Sequence, residues 1–300
     1  MYRDFFGLTK KPFSLTPNPE FLYFSPKHRV AYSMLEYGLM EQSGITVITG
    51  DIGAGKTTLL RYLTDNNQDK NLCMGIVNNM FEGYGHLMQW VLMAFNIDFG
   101  EENKVALLQK FQRFVIDNYS NGKTTVVVVD EAQNLSDSSL EELRLLNNIN
   151  SNSDDLLKII LIGQPELLDR LRKPGLIQLA QRVSVEYHLE ALDVSETVDY
   201  IRHRMNVVGG DPSVFEDSAL YAIHYLSRGV PRLINTLADY ALVYAYSAES
   251  QEIDVDTVIA IAKGRKIGGL NHASLEDGGL NKVHDFVELT TGVSISEQVS

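Results

Sequence analysis

The stretch GDIGAGKTTL, residues 50 to 59, restricts the possible folds of this chain more than any other part of the sequence. Gly50, Gly55, Lys56 and Thr57 occupy every specified position of the spacing G-x-x-x-x-G-K-[ST]. Glycines let the backbone curl so that successive N–H groups point inward, and the dipole of a following helix favours anions at its N-terminus. The spacing therefore predicts a loop that holds the phosphate groups of a nucleotide.

The alternative is a chance glycine-rich turn, and the flanking sequence argues against it. ITVIT before the loop has the pattern of a buried strand, and KTTLLRYLTD has the pattern of a helix. Strand, loop and helix in this order are the context that the motif requires. We expect Lys56 to neutralise the β and γ phosphates of ATP and the Thr57 hydroxyl to hold Mg²⁺. The residues predicted to line the nucleotide are Gly50, Asp51, Ile52, Gly53, Ala54, Gly55, Lys56, Thr57 and Thr58.

A second motif, VVVVDEAQ at residues 126 to 133, places two carboxylates directly after an apolar strand pattern. Asp130 is suited to anchor Mg²⁺ through water, and Glu131 to polarise an attacking water molecule. Two acids at a strand end are also common as a helix cap or a solvated edge. Their place about 75 residues after the glycine loop favours the catalytic interpretation, because the motif is then in its required context. The pair predicts hydrolysis rather than mere retention of the nucleotide.

Further apolar runs predict four more strands, which alternate with helical patterns. These runs are LCMGIV (72–77), TTVVVVD (124–130), KIILIG (158–163) and VSVEYHL (183–189). Continuous β-branched strands separated by helices are typical of a mostly parallel sheet that is covered on both faces. After about Leu192 only helical patterns follow, which predicts a small all-helical domain behind the α/β domain.

We divide the chain into four parts on these patterns. They are an N-terminal linker and first helix packed on the core (1–43), an α/β nucleotide-binding domain (44–191), a helical lid (192–266) and a flexible C-terminal tail (267–300). The tail mixes glycine, serine and acidic residues with weak periodicity. Its segment NKVHDFVELT is amphipathic and suited to dock on a partner.

The composition of the chain restricts which classes of function and which cellular compartments are plausible for it. The formal net charge of −13 repels a phosphate backbone at long range, which disfavours DNA as a general partner. Cys73 is the single cysteine, so neither an internal disulfide nor a cysteine-based metal cluster is possible. No apolar run approaches the roughly 20 residues that cross a bilayer, and Asp4 stands where a signal peptide would be apolar. We expect a cytoplasmic protein, or one held at the membrane periphery by a partner.

Six stretches covering about residues 2 to 265 together resemble AAA+ ATPases. More narrowly, they resemble the general secretion pathway protein A family and its relatives encoded with mannose-sensitive pilus or exopolysaccharide and exosortase systems. The stretches are FFGLTKKPFSLTPNPEFLYFSPKHRVAYSMLEYGL, VITGDIGAGKTTLLRYL, VVVVDEAQNLSDSSLEELRLLNNI, IILIGQPELLDRLR, LAQRVSVEYHLEALDVSETVDYIRHRM and SRGVPRLINTLADYAL. The resemblance implies a P-loop AAA+ core, with a parallel five-stranded sheet in the order 5-1-4-3-2, and a helical lid.

The resemblance also implies roles for three residues outside the two motifs. Gln164 takes the first sensor position, where a polar side chain orients the attacking water; a plain turn residue before Pro165 is the alternative. Arg232 in GVPRLIN takes the second sensor position, a lid arginine that touches the γ-phosphate, and an ordinary surface arginine is the alternative. Arg182 takes the place of an arginine finger, which reaches into a neighbouring subunit and accelerates hydrolysis by about 10³ to 10⁵.

Several of these residue assignments have alternatives that the sequence leaves open. Arg170 and Arg172 compete with Arg182 for the finger role, and an ordinary salt bridge is a third possibility for Arg182. Phe21 and Tyr23 lie in the stretch that resembles the family's linker around the adenine, but core packing is the better interpretation for either ring.

The sequence therefore predicts an ATP-hydrolysing AAA+ motor or switch that assembles into a ring or partial ring. We expect it to bind a protein partner and support an envelope-associated secretion, pilus or polysaccharide-export machine. The secretion family carries a transmembrane segment and a peptidoglycan-binding domain after the ATPase; this sequence shows neither, which favours the shorter relatives. The alternatives are a DNA-binding regulator of the transposition-ATPase type, and a nucleotide-gated scaffold that docks through the tail.

Overall fold

The computed structural model describes residues 1–16, 18–40, 44–67, 71–78, 85–100, 103–149, 156–265 and 279–291. The chain divides into two compact units. The sheet unit consists of Pro26–Asp51 and Leu59–Leu189, and the helical unit consists of Met1–Ser25, Ile52–Thr58 and Glu190–Ser300. The glycine loop beyond Asp51 is therefore grouped with the helical unit. The domain boundaries proposed from the sequence stay predictions.

The sheet unit is built on five parallel strands. They are β1 (Ile45–Gly50), β2 (Leu72–Val77), β3 (Thr124–Val129), β4 (Leu157–Gly163) and β5 (Val183–Leu189). Their order across the sheet is β2-β3-β4-β1-β5. This confirms the α/β class and the sheet order 5-1-4-3-2, and each strand lies within one residue of its predicted bounds.

Apolar residues on both faces of the strands explain why this sheet is covered on both sides. Val127 and Ile159 belong to a core shared with the helices that follow β2 and β3, and both side chains are buried. The alternate residues Val128 and Ile160, which point to the opposite face, are equally buried. A continuous run of β-branched residues is what a central parallel strand requires.

Among the described residues, seven α-helices lie between Pro26 and β5. They are α2 (Pro26–Met40), α3 (Lys56–Asn66), α4 (Leu87–Ala94), α5 (Lys104–Ser120), α6 (Asp137–Leu146), α7 (Glu166–Leu171) and α8 (Ile177–Ala180). The first five match helical patterns in the sequence. The last two were not predicted, because helices of six and four residues are too short to show a helical period.

The helical unit surrounds one central apolar helix. Its helices are α1 (Tyr2–Phe5), α9 (Val194–Val207), α10 (Asp217–Ser227), α11 (Pro231–Ser247), α12 (Val255–Gly264) and α13 (Gly279–Thr291). Helix α10 packs against α9, α11, α12 and α13. It buries Ala219, Leu220, Ala222, Ile223 and Leu226 completely, as expected for a helix that is covered on all sides.

The turn between α10 and α11 requires glycine at one position. Gly229 has φ +72°, and a Cβ atom there would lie 1.8 Å from the carbonyl oxygen of Leu192. The carbonyl oxygen of Gly229 accepts the N–H of Leu192 at 3.0 Å. Pro231 then occupies the first turn of α11, where no N–H is needed. Gly229 and Pro231 thus separate the end of α10 from the start of α11.

The N-terminal segment packs on α9 through a buried arginine. Arg204 donates hydrogen bonds to the carbonyl oxygen of Pro12 and to the Tyr200 hydroxyl, both at 2.7 Å. Its guanidinium also lies 4.9 Å from the centre of the Phe21 ring. Pro12 and Arg204 are 192 residues apart in the sequence, and their contact makes the linker an integral part of the helical unit.

Helix α13 contains the segment NKVHDFVELT and packs on α10. Val283 and Val287 are completely buried, while Leu289 on another face is 86% exposed. The ring of Phe286 lies 5.1 Å from the ring of Tyr225. The apolar face of this segment is thus covered within its own chain, and the other residues of the predicted flexible tail lie outside the described residues.

Candidate nucleotide site

The glycine loop joins the end of β1 at Gly50 to the start of α3 at Lys56. Gly53 has φ +84° and Gly55 has φ +104°, a region that L-residues with side chains rarely adopt. Ala54 and Lys56 are buried, whereas Asp51 and Ile52 are exposed. Thr57 and Thr58 in the first turn of α3 are half-buried. The two glycines thus permit the backbone course that a phosphate-binding loop needs.

The helical unit brings the predicted lid arginine onto this loop. The backbone N–H of Arg232 donates to the carbonyl oxygen of Gly53 at 3.2 Å. Arg232 lies in the first turn of α11, where backbone N–H groups lack partners within the helix. A Cβ atom on Gly53 would lie 2.5 Å from the Cβ atom of Arg232, so glycine is also required by the close approach.

The acidic pair lies at the carboxyl edge of the sheet. Asp130 follows β3 and is buried, and its Oδ1 accepts the N–H of Glu131 at 2.9 Å. Glu131 has φ 55° and ψ 40°, a left-handed conformation that is uncommon for a residue with a long side chain. Such outliers occur often at functional sites.

The sheet order brings Gln164 next to Glu131. Strand β4 lies beside β3, and Gln164 directly follows β4. The side-chain Nε2 of Gln164 donates to Oε2 of Glu131 at 3.3 Å. Strand β1, which ends in the glycine loop, is the other neighbour of β4. Gln164 therefore follows the strand between the two motif-bearing strands.

Gln133 is a residue of this site to which the sequence assigned no role. Its Nε2 donates to Oε2 of Glu131 at 2.6 Å, and its Oε1 accepts the backbone N–H of Gln164 at 3.0 Å. The residue is part of the quoted motif VVVVDEAQ. Its position three residues after Asp130 was the only sequence feature that pointed to a role for Gln133. Its partner Gln164 follows another strand, so the sequence does not show that the two residues meet.

Arg170 fastens the segment that carries these residues. Its guanidinium donates to the carbonyl oxygen of Gln133 at 2.8 Å, to the carbonyl oxygen of Leu135 and to the carboxylate of Asp137. The hydrogen bond and charge of Arg170 hold the pKa of Asp137 below its ordinary value. The guanidinium of Arg170 thus forms its hydrogen bonds inside its own unit. This disfavours Arg170 as the arginine finger, which would have to reach a neighbouring subunit.

Arg182 and Arg172 are both exposed. Arg182 donates to Oδ1 of Asn148 at 3.2 Å, and Arg172 lies 3.8 Å from the carboxylate of Asp169. Arg182 immediately precedes β5, so it lies at the amino edge of the parallel sheet. Strand β5 has seven residues, which separate that edge from the carboxyl edge by about 20 Å. Arg182 is therefore remote from the Glu131 of its own chain.

The two aromatic residues of the linker are part of the helical core. Phe21 is buried under Arg204, and Tyr23 packs against Tyr200 with ring centres 6.1 Å apart. The ring of His203 lies 5.7 Å from that of Tyr23. Burial and the charge of Arg204 lower the pKa of His203. These contacts agree with core packing, the interpretation preferred for both rings.

Comparison with known proteins identifies the type of domain. Residues 39–171 match the family model described as an AAA domain. The chain carries an AAA domain. The match spans the glycine loop, the acidic pair and Gln164, so the AAA domain includes both sequence motifs.

The chain is similar to general secretion pathway protein A of Aeromonas hydrophila. The two are 40% identical over 254 residues, which cover 84% of this chain. The chain spans only about half, 46%, of the length of that relative. The resemblance to this protein that the sequence predicted is confirmed.

Solved structures show the same AAA fold at low sequence identity. The Cdc6p structure from Pyrobaculum aerophilum matches with TM-score 0.65 and 16% identity, over 94% of this chain and 84% of that chain. ORC2 of Aeropyrum pernix, in ADPNP-ADP complexes, matches with TM-score 0.63 and 16% identity, over 95% and 85%. Domain III of DnaA from Thermotoga maritima matches with TM-score 0.53 and 17% identity, over 84% and 97%. At such identities the likeness concerns the fold.

Within the described residues, no helix combines the length and the apolar character that a membrane span requires.

Proposed function

We propose that this chain binds ATP with Mg²⁺ and hydrolyses it. The observation that carries the proposal is the hydrogen-bonded set of Glu131, Gln133 and Gln164 at one sheet edge. A carboxylate held by two amides at the end of a central strand is suited to orient and deprotonate water. Strand β1, which leads into the glycine loop, ends at the same edge.

The residues present fit a magnesium nucleotide. Positive φ at Gly53 and Gly55 suits a loop whose N–H groups face phosphate oxygens, and Lys56 supplies a positive charge. The Thr57 hydroxyl and the Asp130 carboxylate are oxygen ligands of the kind that Mg²⁺ prefers. Bound Mg²⁺ would neutralise charge on the phosphate oxygens. The remaining contacts to the nucleotide are assigned to Gly50, Asp51, Ile52, Ala54 and Thr58 of the same loop.

In the reaction, Glu131 accepts a proton from a water molecule whose oxygen forms a bond to the γ-phosphorus. The bond between that phosphorus and the bridging oxygen of ADP breaks, and ADP and phosphate are released. Gln164 orients the water, and Lys56 balances the charge of the β and γ phosphates. Arg232 contacts the γ-phosphate and couples the nucleotide state to the lid helices.

Equilibrium ATP binding and phosphate release test this reaction directly. Glu131→Gln should keep the ATP affinity of the parent and lose phosphate release by about 100-fold or more, because the base is removed. Lys56→Ala should lose both binding and release. The proposal fails if the parent releases phosphate no faster than Glu131→Gln.

We also propose that the chain acts as a ring or partial ring, with Arg182 completing the active site of a neighbouring subunit. Arg182 is exposed and about 20 Å from the catalytic edge of its own sheet, whereas Arg170 is engaged within its unit. Such a finger stabilises the negative charge that develops in the transition state.

Specific activity measured across protein concentrations tests this assembly. A shared site predicts that activity per chain rises with concentration and that Arg182→Ala binds ATP but releases almost no phosphate. Arg113→Ala, at an exposed position of α5, is the matched control, and Arg172→Ala tests the competing finger. Flat specific activity together with an active Arg182→Ala variant would exclude the finger.

The relationship to general secretion pathway protein A supports a role at the cell envelope. We propose that ATP turnover supports assembly of a secretion, pilus or polysaccharide-export machine, with the chain on the cytoplasmic face of the inner membrane through a protein partner. The Glu131→Gln variant, trapped with ATP, should cosediment with the inner membrane and be released by salt. A uniformly soluble distribution would contradict this role, and an ATP-dependent, salt-sensitive shift of DNA would favour the DNA-binding alternative.

A further inference from the structure

The side-chain amide of Gln133 connects two strand ends. It follows β3 in the chain, donates to Glu131 at 2.6 Å, and accepts from the backbone of Gln164 after β4 at 3.0 Å. The amide is the donor in the first hydrogen bond and the acceptor in the second, which fixes its orientation. The backbone N–H of Gln164 needs an acceptor, so Oε1 must face Gln164 and Nε2 must face the carboxylate. A flipped amide would place an oxygen against the carboxylate.

The amide has little freedom to move. A Cβ atom on Gly163 would lie 3.0 Å from Oε1 of Gln133, so the backbone of β4 passes close to the amide. The carbonyl oxygen of Gln133 also accepts from Arg170 at 2.8 Å, which fixes the main chain at this residue. Gln133 is therefore held from both its side chain and its backbone.

Glu131 receives its donors on one oxygen only. The amides of Gln133 and Gln164 both donate to Oε2, at 2.6 and 3.3 Å. Among the described residues, no side chain donates to Oε1 of Glu131. One carboxylate oxygen is thus tied to the protein while the other is left for an external proton donor such as water.

We propose that Gln133 is a positioning residue that presents Oε1 of Glu131 to the attacking water. The inference rests on the proposed hydrolysis and assigns the orientation of its base to one amide. Gln133 touches neither the water nor the nucleotide in this role. It acts by fixing the rotamer of Glu131 and the distance between the ends of β3 and β4.

The test compares phosphate release and ATP affinity for the parent, Gln133→Ala and Gln112→Ala. Gln133→Ala should lower kcat by about 10- to 100-fold, the cost of a misplaced catalytic group, while the ATP dissociation constant stays within about twofold. Gln112, an exposed residue of α5, is the matched control and should leave both quantities unchanged.

Two further readouts separate positioning from a structural role. In a Glu131→Gln background, Gln133→Ala should have no further effect on the residual rate, because the group that it positions is already lost. Gln133→Glu, which keeps the length of the side chain but has no amide to donate to the carboxylate, should lose as much kcat as Gln133→Ala.

The outcomes distinguish this inference from the proposed function. A parent without phosphate release would overturn both. An active parent with kcat of Gln133→Ala within twofold of its own would overturn the positioning role alone. Equal losses in ATP affinity and kcat, or additive losses with Glu131→Gln, would instead make Gln133 a structural residue and also contradict the proposal.

Discussion

The backbone N–H of Arg232 is hydrogen-bonded to the carbonyl oxygen of Gly53 at 3.2 Å. Gly53 belongs to the glycine loop, and Arg232 lies in the first turn of α11. The contact joins the glycine loop to a helix that starts about 180 residues later. Its geometry leaves no space for a side chain at Gly53, where a Cβ atom would lie 2.5 Å from that of Arg232.

Gly53→Ala should therefore weaken ATP binding by at least about tenfold, because both the positive φ and the contact with Arg232 oppose a side chain. Isothermal titration with ATP measures this effect. Gly209→Ala is the control, since Gly209 also has positive φ, +74°, but no atom lies within 4 Å of the added Cβ. Similar losses of affinity in the two variants would mean that global destabilisation, not the loop, is responsible.

Arg204→Met should lower the free energy of unfolding by about 3 kcal/mol, because buried acceptors that bond to the guanidinium lose their partner. The acceptors include the carbonyl oxygen of Pro12 and the Tyr200 hydroxyl. Arg202→Met, two residues away on α9, removes an exposed pair with Asp217 and should cost less than about 1 kcal/mol. Urea unfolding compares the two, and equal costs would contradict the anchoring role of Arg204.

His203 should make the helical unit less stable in mild acid. Its pKa is lowered by burial and by the charge of Arg204, so the unfolded chain binds the proton more strongly than the folded chain. Stability is then complete above the unfolded pKa of about 6.5 and decreases as the pH falls through the folded pKa. The melting temperature of His203→Gln should depend less on pH between 7.5 and 5.5 than that of the parent. An unchanged slope would exclude His203 as the source.

Packing of α13 on α10 predicts opposite results for two apolar residues of the same helix. Val287→Ala should destabilise the protein by about 2 kcal/mol, because Val287 is completely buried. Leu289→Ala should have almost no effect on the melting temperature, since that side chain is 86% exposed. If Val287→Ala is also neutral, α13 does not contribute to the folded unit in solution, which would favour a free docking segment.

The sheet could be predicted because its information is local. Runs such as VVVV at 126–129 and IILI at 159–162 are strands on composition alone, and the glycine loop specifies the strand and helix on either side of it. The order of the strands followed from the resemblance rather than from the patterns.

The rest depends on contacts between distant segments. Gln133 acquires its role only because β4 lies beside β3, and the anchoring of the linker requires Arg204 to meet Pro12. Neither pair has a local pattern that the sequence displays. Helices α7 and α8 were not predicted for another reason. Each has only one or two turns, and a helical period becomes visible only over a longer stretch of sequence.

The central claim is that ATP is hydrolysed by Glu131 of one chain with Arg182 of another. Mixing two inactive variants tests it most directly. Glu131→Gln retains the finger and Arg182→Ala retains the base, so each alone should release almost no phosphate. A mixture at equal concentration should recover part of the parent's activity, because interfaces with both groups intact form between the variants. Phosphate release that stays at the level of the separate variants would contradict the shared site.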